Sequence, residues 1–205
     1  MLADLSLRDF AAAVAAKTST PGGGSVAAYA STLGAALGAM AARYSEGPGC
    51  AESAAALDAL RGRFLILVDR DTEAYSKVST AYGLPKKTDE EKQARRAAIQ
   101  AALVDAANVP LEGMRAVIEA LKALEPLAMS CNKNLASDLA SGALLLRAGL
   151  EGCGWNVRIN ASALADADRR EDLDSEDARL RAECMRLTEA VLASAHRLVA
   201  RPVNG

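Results

Sequence analysis

Leu57-Asp-Ala-Leu60-Arg-Gly-Arg-Phe64-Leu-Ile-Leu67-Val68-Asp-Arg-Asp71-Thr-Glu-Ala-Tyr75-Ser-Lys-Val78 is the stretch whose spacing decides the fold. Its apolar residues return every three or four positions, the period of a helix that turns one face inward. Followed back to Cys50 and on to Tyr82, the stripe predicts one helix of about nine turns. Glu46-Gly-Pro-Gly49 and Gly83-Leu-Pro85 bound it. Asp71 falls inside the stripe with Leu57, Phe64, Tyr75 and Val78, whereas Asp69, Arg70 and Glu73 point elsewhere. A carboxylate on an apolar face is costly to desolvate unless it is partnered. Burial also raises its pKa, which suits a general acid or base near neutral pH. A structural aspartate paired with an arginine or a helix end would fit the same position.

The flanking segments read in the same way. Ser6, with Asp9 three residues on, is an N-cap, and the helix it opens carries Leu7, Phe10, Ala13 and Val14 before ending near Thr18. A second helix, over 25–44, has Gly34 and Gly38 beside Ser31 and Ala35, a small-residue face for close contact within a subunit or between two. Thr88, followed by Asp89-Glu-Glu91, caps a helix expected to reach about Ala107. Pro110 and Pro126 each suit the first turn of a further helix. Residues 137–165 are helical in pattern, 166–174 form a charged link, and 175–199 make a last helix with Leu180, Leu187, Val191 and Leu198. No run alternates with period two. The expected fold is all-α, a single-domain antiparallel bundle of about six to eight helices over 1–205. Apolar residues make up 51% of the chain and aromatics only 3%, so the core is aliphatic and alanine-rich.

Charge and cysteine usage exclude several classes. A net charge of −2 with both signs dispersed leaves no footprint for nucleic acid and no polybasic stripe for a membrane surface. Between Lys17 and Arg43 there is no charged residue, a length that could span a bilayer. Gly, Ala, Ser and Thr dominate it, however, and Leu33 and Leu37 are its only leucines, so a buried bundle helix is the better reading. The 4 cysteines form no Cys-x-x-Cys pair and the one histidine is His196, so no zinc site is expected. Asp4, Arg8 and Asp9 make the first ten residues unlike a secretory signal. A cytoplasmic protein with free thiols is expected.

Besides Asp71, two further features bear on chemistry. Pro21-Gly22-Gly23-Gly24-Ser25 leaves bare N–H groups at a helix start, suited to an anion or a flat ligand; a hinge or a tight helix crossing would also need glycines. Asp138, Gly142, Leu145, Gly149, Gly152, Asn156 and Asn160 share one helix face. They describe a shallow groove floored by backbone, or asparagines that only satisfy helix ends. Lys86 and Lys87 read as a solvated cap that could meet an anionic tail, and His196 as a surface or packed side chain.

Four stretches carry a resemblance to a known family. They are Thr20-Pro-Gly-Gly-Gly-Ser-Val-Ala-Ala28, Leu67-Val-Asp-Arg-Asp-Thr-Glu-Ala-Tyr75, Tyr82-Gly-Leu-Pro-Lys-Lys-Thr-Asp-Glu-Glu-Lys92, and Asn132 to Asp138 followed by Asn156-Val-Arg-Ile-Asn160. In order, over nearly the whole chain, they resemble the cyclodeaminase/cyclohydrolase family of folate enzymes. Cys131, where a glycine is common, and Lys133 depart from that pattern. The resemblance implies a helical homodimer that binds a tetrahydrofolate in a groove, with no metal and no cofactor beyond that substrate. It implies an aspartate of Asp69–Asp71 as the catalytic group, placed on Asp71 by the helical wheel with Asp69 as fallback. Substrate contacts are then expected from Pro21, Gly22, Gly23, Gly24, Ser25, Asn132, Asp138, Asn156, Asn160 and Lys86. The implied reaction is hydrolysis of 5,10-methenyltetrahydrofolate to 10-formyltetrahydrofolate. The alternatives are cyclodeamination of 5-formiminotetrahydrofolate and, from another class, a non-catalytic folate-binding dimer.

Overall fold

Five long helices and two short ones make up the fold in the computed structural model, which describes residues 1–200 apart from the side chain of Ala128. In chain order they are α1 (Leu7–Ala15), α2 (Gly23–Arg43), α3 (Cys50–Tyr82), α4 (Asp89–Leu124), α5 (Leu127–Ser130), α6 (Ala136–Ala161) and α7 (Ala167–Ala200). No strand occurs among the described residues. The helix starts follow local chemistry. Ser6 Oγ accepts from the Asp9 N–H at 3.1 Å, and Thr88 and Glu91 form a reciprocal capping box at the start of α4. Gly49, at φ 83°, makes the left-handed turn into α3.

α2 is the centre of the bundle, flanked by α3 on one side and α6 on the other. Its small residues permit this. A Cβ on Gly34 would lie 2.7 Å from the Gly142 carbonyl oxygen, and one on Gly149 would lie 2.8 Å from that of Ala27. The pairings run in opposite order along the two helices, so α6 is antiparallel to α2. Gly38 meets Leu57 and Gly24 meets Asp71, so α3 is antiparallel to α2 as well. Ala35, Leu57, Phe64, Leu139 and Leu146 of these helices, with Met114 and Leu121 of α4 and Leu187 of α7, are fully buried. α2 is also the one described helix long and apolar enough to cross a membrane, and here most of it is covered by its neighbours.

Several sequence expectations change. α4 does not stop near Ala107 and restart at Pro110 but runs through it. The charged segment 166–174 is no link, because α7 already begins at Ala167 and buries Leu173. Its acidic residues are the solvated side of a helix, while Arg169 and Arg170 are half-buried and donate to Asn108 and the Leu164 carbonyl. Pro126 caps only the single turn of α5, and α1 ends at Ala15 rather than near Thr18. Tyr75 and Tyr82 leave the buried stripe, being 46% and 50% exposed. α3 runs on past the start of α2, and its last turns pack on α4, where Lys77 pairs with Asp105. The glycine-floored groove expected on α6 is not open, since α2 lies in it.

Candidate active site

The first turn of α2 meets the middle of α3 at Asp71. A Cβ on Gly24 would stand 2.1 Å from Asp71 Oδ1, so only glycine lets the carboxylate lie against the helix start. Ser25 Oγ, fully buried, is 2.9 Å from Asp71 Oδ2 and 3.0 Å from the Val68 carbonyl oxygen. That hydroxyl has one proton to give. It donates to Asp71 when the carboxylate is ionised, and can turn to Val68 and accept from Asp71 when the acid is protonated. Burial raises the Asp71 pKa above the ordinary carboxylate range, outweighing hydrogen bonds from the Ser25 side chain and backbone that lower it. Among the described residues Asp71 makes no ion pair. Arg70, beside it, is engaged by Glu112 at 2.7 Å.

Behind the carboxylate lies a cavity of about 10 Å³, near the least that holds one water molecule. Leu67, Val109, Pro110, Gly113 and Cys153 line it together with Gly24, Ala28 and Asp71. Cys153 is wholly enclosed, and burial, with the nearby Asp71 charge, pushes its thiol up to about 12, so it stays protonated and inert. Pro110, Gly113 and Cys153 escaped the sequence reading. Their only local signals were a proline inside a helical pattern and a cysteine between Gly152 and Gly154. The cavity is far too small for a fused-ring ligand. Any such ligand would lie across the outer rim and offer one atom to Asp71.

The rim is formed by α2 and α6. Gly22 is an N-cap with no side-chain bond, and the first ladder bond of α2 is Val26 N–H to the Gly22 carbonyl, so the N–H groups before it lack helix partners. A Cβ on Gly22 would meet open space, and one on Gly23 only Asn156 Nδ2 at 3.5 Å. Pro21, buried just before the three glycines, follows Thr20 through a cis peptide bond. Asn156 donates one N–H to the Gly152 carbonyl at 2.9 Å, which leaves its second N–H and its oxygen for other partners. Asn160 is more committed, with Nδ2 3.0 Å from the Ala106 carbonyl oxygen and 2.8 Å from that of Asn156. Val26, Trp155 and Ile159 on the same turns are 38%, 65% and 66% exposed.

Other expected site residues lie apart from Asp71 within the subunit. Asn132 holds the far end of α2, donating through Nδ2 to the Tyr44 carbonyl and through its N–H to Ser45 Oγ. That end is about 30 Å from Gly23 along the helix. Asp138, in the first turn of α6, is about 27 Å along the helix from Asn156. Lys86 sits at the tip of the α3–α4 hairpin, about 17 Å or more beyond Asp71. Asp69 accepts the Leu2 N–H at 2.6 Å and ties down the N-terminal turn, outside the cavity lining. Among the described residues no three His, Cys, Asp or Glu side chains gather in a way that could hold a metal ion.

A family model described as formiminotransferase-cyclodeaminase matches residues 6–179. The chain belongs to the formiminotransferase-cyclodeaminase family. A relative named methenyltetrahydrofolate cyclohydrolase, from Methylorubrum extorquens, is 36% identical over 199 residues, covering 93% of this chain and 96% of that protein. The formimidoyltransferase-cyclodeaminase of Rattus norvegicus is also 36% identical, over 80% of this chain, but the match spans only 32% of that longer protein. The crystal structure of formiminotetrahydrofolate cyclodeaminase from Thermotoga maritima superposes with a TM-score of 0.85 at 29% identity, covering 97% of this chain and 100% of that one. Family membership and the all-helical architecture are thus both established.

Proposed function

We propose that this chain hydrolyses 5,10-methenyltetrahydrofolate to 10-formyltetrahydrofolate, with Asp71 as general base and then general acid. The observation that carries the reading is a carboxylate of raised pKa set beside a one-water cavity at an accessible helix N-terminus. The near-full-length match to the Methylorubrum extorquens cyclohydrolase supports the choice of reaction. The bridge carbon of the substrate is already a cationic amidinium and needs no metal or redox cofactor to make it electrophilic. Water adds to it, and its proton passes to Asp71. The neutral adduct then breaks its bond to N5, which keeps the electron pair and takes the proton back from Asp71. The adduct hydroxyl loses its proton as the formyl C=O forms on N10, so one proton is released overall. Ser25 supports both states of Asp71, and positioning by the glycine loop and Asn156 supplies the rest.

Cyclodeamination is the second reading, favoured by the Thermotoga maritima structure and the family description. There N10 attacks the formimino carbon, ammonia leaves, and the same acid and base serve. We also place the chain in the cytoplasm as a homodimer. Exposed Val26, Leu33, Leu144, Trp155 and Ile159 on α2 and α6 give an apolar surface for a second subunit to cover. Loss of the methenyl chromophore, followed with wild type beside Asp71→Asn, tests the main reading. Decay well above the buffer rate, abolished in a folded variant, is the expected result. No acceleration by wild type would overturn the hydrolase, and the chromophore appearing from 5-formiminotetrahydrofolate would establish the alternative.

A further inference from the structure

α4 carries Pro110 in its interior, on the wall of the Asp71 cavity. A proline within a helix has no N–H for the carbonyl four residues earlier. That carbonyl is Ala106, and a buried acceptor without a partner is costly. Asn160 Nδ2, reaching across from α6, stands 3.0 Å from it. The second N–H of the same amide meets the Asn156 carbonyl at 2.8 Å. Both neighbours are carbonyl oxygens, so only the NH2 end of the amide can face them, and its two donors are both used. Asn160 therefore has no N–H left for a ligand, while Asn156, one turn away, keeps one.

We infer that Asn160 is a positioning residue for the reaction proposed above. Its amide replaces the hydrogen bond that Pro110 cannot make, and so fixes the α4 wall of the cavity against the helix that carries Asn156 and Cys153. The proline gives the wall an apolar ring where a one-water cavity needs it. The asparagine lets α4 continue through that ring as a helix. The folate ligand is held by Asn156 and the glycine loop rather than by Asn160.

A double-mutant cycle tests this, because Pro110→Ala restores the missing N–H. In the wild-type background, Asn160→Leu is expected to raise the unfolding constant on the order of tenfold or more, the cost of an unpartnered carbonyl. In the Pro110→Ala background the same change is expected to cost clearly less. kcat/KM should follow the same pattern, with a smaller loss on Asn160→Leu once the Pro110→Ala backbone supplies the bond. Equal stability losses in the two backgrounds would overturn the assignment. Coupling in stability with equal losses of kcat/KM would overturn the positioning role and make Asn160 a substrate ligand. A single variant that fails to fold beside a folded double variant is the same coupling in extreme form, whereas failure of both would overturn it. A wild type inert on both folates would refute the functional reading, and the stability cycle would then decide the clamp by itself.

Discussion

Replacing Gly24 by alanine should damage catalysis more than folding. The new Cβ would stand 2.1 Å from Asp71 Oδ1, 2.6 Å from Cγ and 2.8 Å from Oδ2, where ordinary contact begins near 3.4 Å. The carboxylate must therefore move by about 1.3 Å, or α2 and α3 must part by as much. Either movement breaks the 2.9 Å contact with Ser25 Oγ. A displacement of about 1 Å from the reacting geometry costs on the order of a hundredfold, or about 2.7 kcal/mol of transition-state stabilisation. Overpacking costs stability about 1–3 kcal/mol, partly offset by up to about 1 kcal/mol from the better helix propensity of alanine. Gly62→Ala, whose Cβ would meet open space on α3 well away from Asp71 and the glycine loop, is the control. Steady-state decay of the methenyl chromophore and urea unfolding on the two variants read both quantities. Gly62→Ala within about twofold of wild type and Gly24→Ala down by about two orders of magnitude are expected. A Gly24→Ala enzyme as active as wild type would refute the claim that the glycine exists to seat Asp71.

Asp71→Asn should unfold less readily than wild type at neutral pH. Burial raises the folded-state pKa of Asp71, so its contribution to stability is present at low pH and lost as pH rises through that value. Asparagine cannot ionise, and the advantage of the variant should close as pH falls below the ordinary carboxylate range, measured by thermal unfolding across pH. Gly34→Ala places a Cβ 2.7 Å from the Gly142 carbonyl and should cost about 1–3 kcal/mol in urea unfolding. Thr88→Ala removes the capping box at the exposed tip of the α3–α4 hairpin. It should cost about 1 kcal/mol and leave kcat/KM unchanged.

The parts legible in the sequence were those set by local period and local capping. The bounds of α3 and the caps at Ser6 and Thr88 follow from residues within a turn of each other. So does the inward turn of Asp71, although its stripe overran the bundle at Tyr75. What escaped depends on distant partners. Pro110 reads as a helix start because its missing hydrogen bond is local, while the amide that compensates it comes from Asn160, 54 residues beyond the carbonyl it serves. The charged run before Ser175 reads as a link because burial of Leu173 depends on a neighbouring helix. Asn132 and Asp138 carry the same family resemblance as Asp71 in a separate stretch, yet the antiparallel path of α2 and α6 sets them at the other end of the subunit.

The helix whose first turn seats Asp71 is the one around which the whole bundle is assembled. The reactive carboxylate therefore has no private hinge, and its geometry cannot loosen without disturbing the most protected part of the molecule. Heating should abolish turnover and helicity along a single curve, with no inactive but folded state between them. By the same linkage, a ligand that closes on this helix start is felt by the entire fold, and its affinity can be read as a rise in melting temperature.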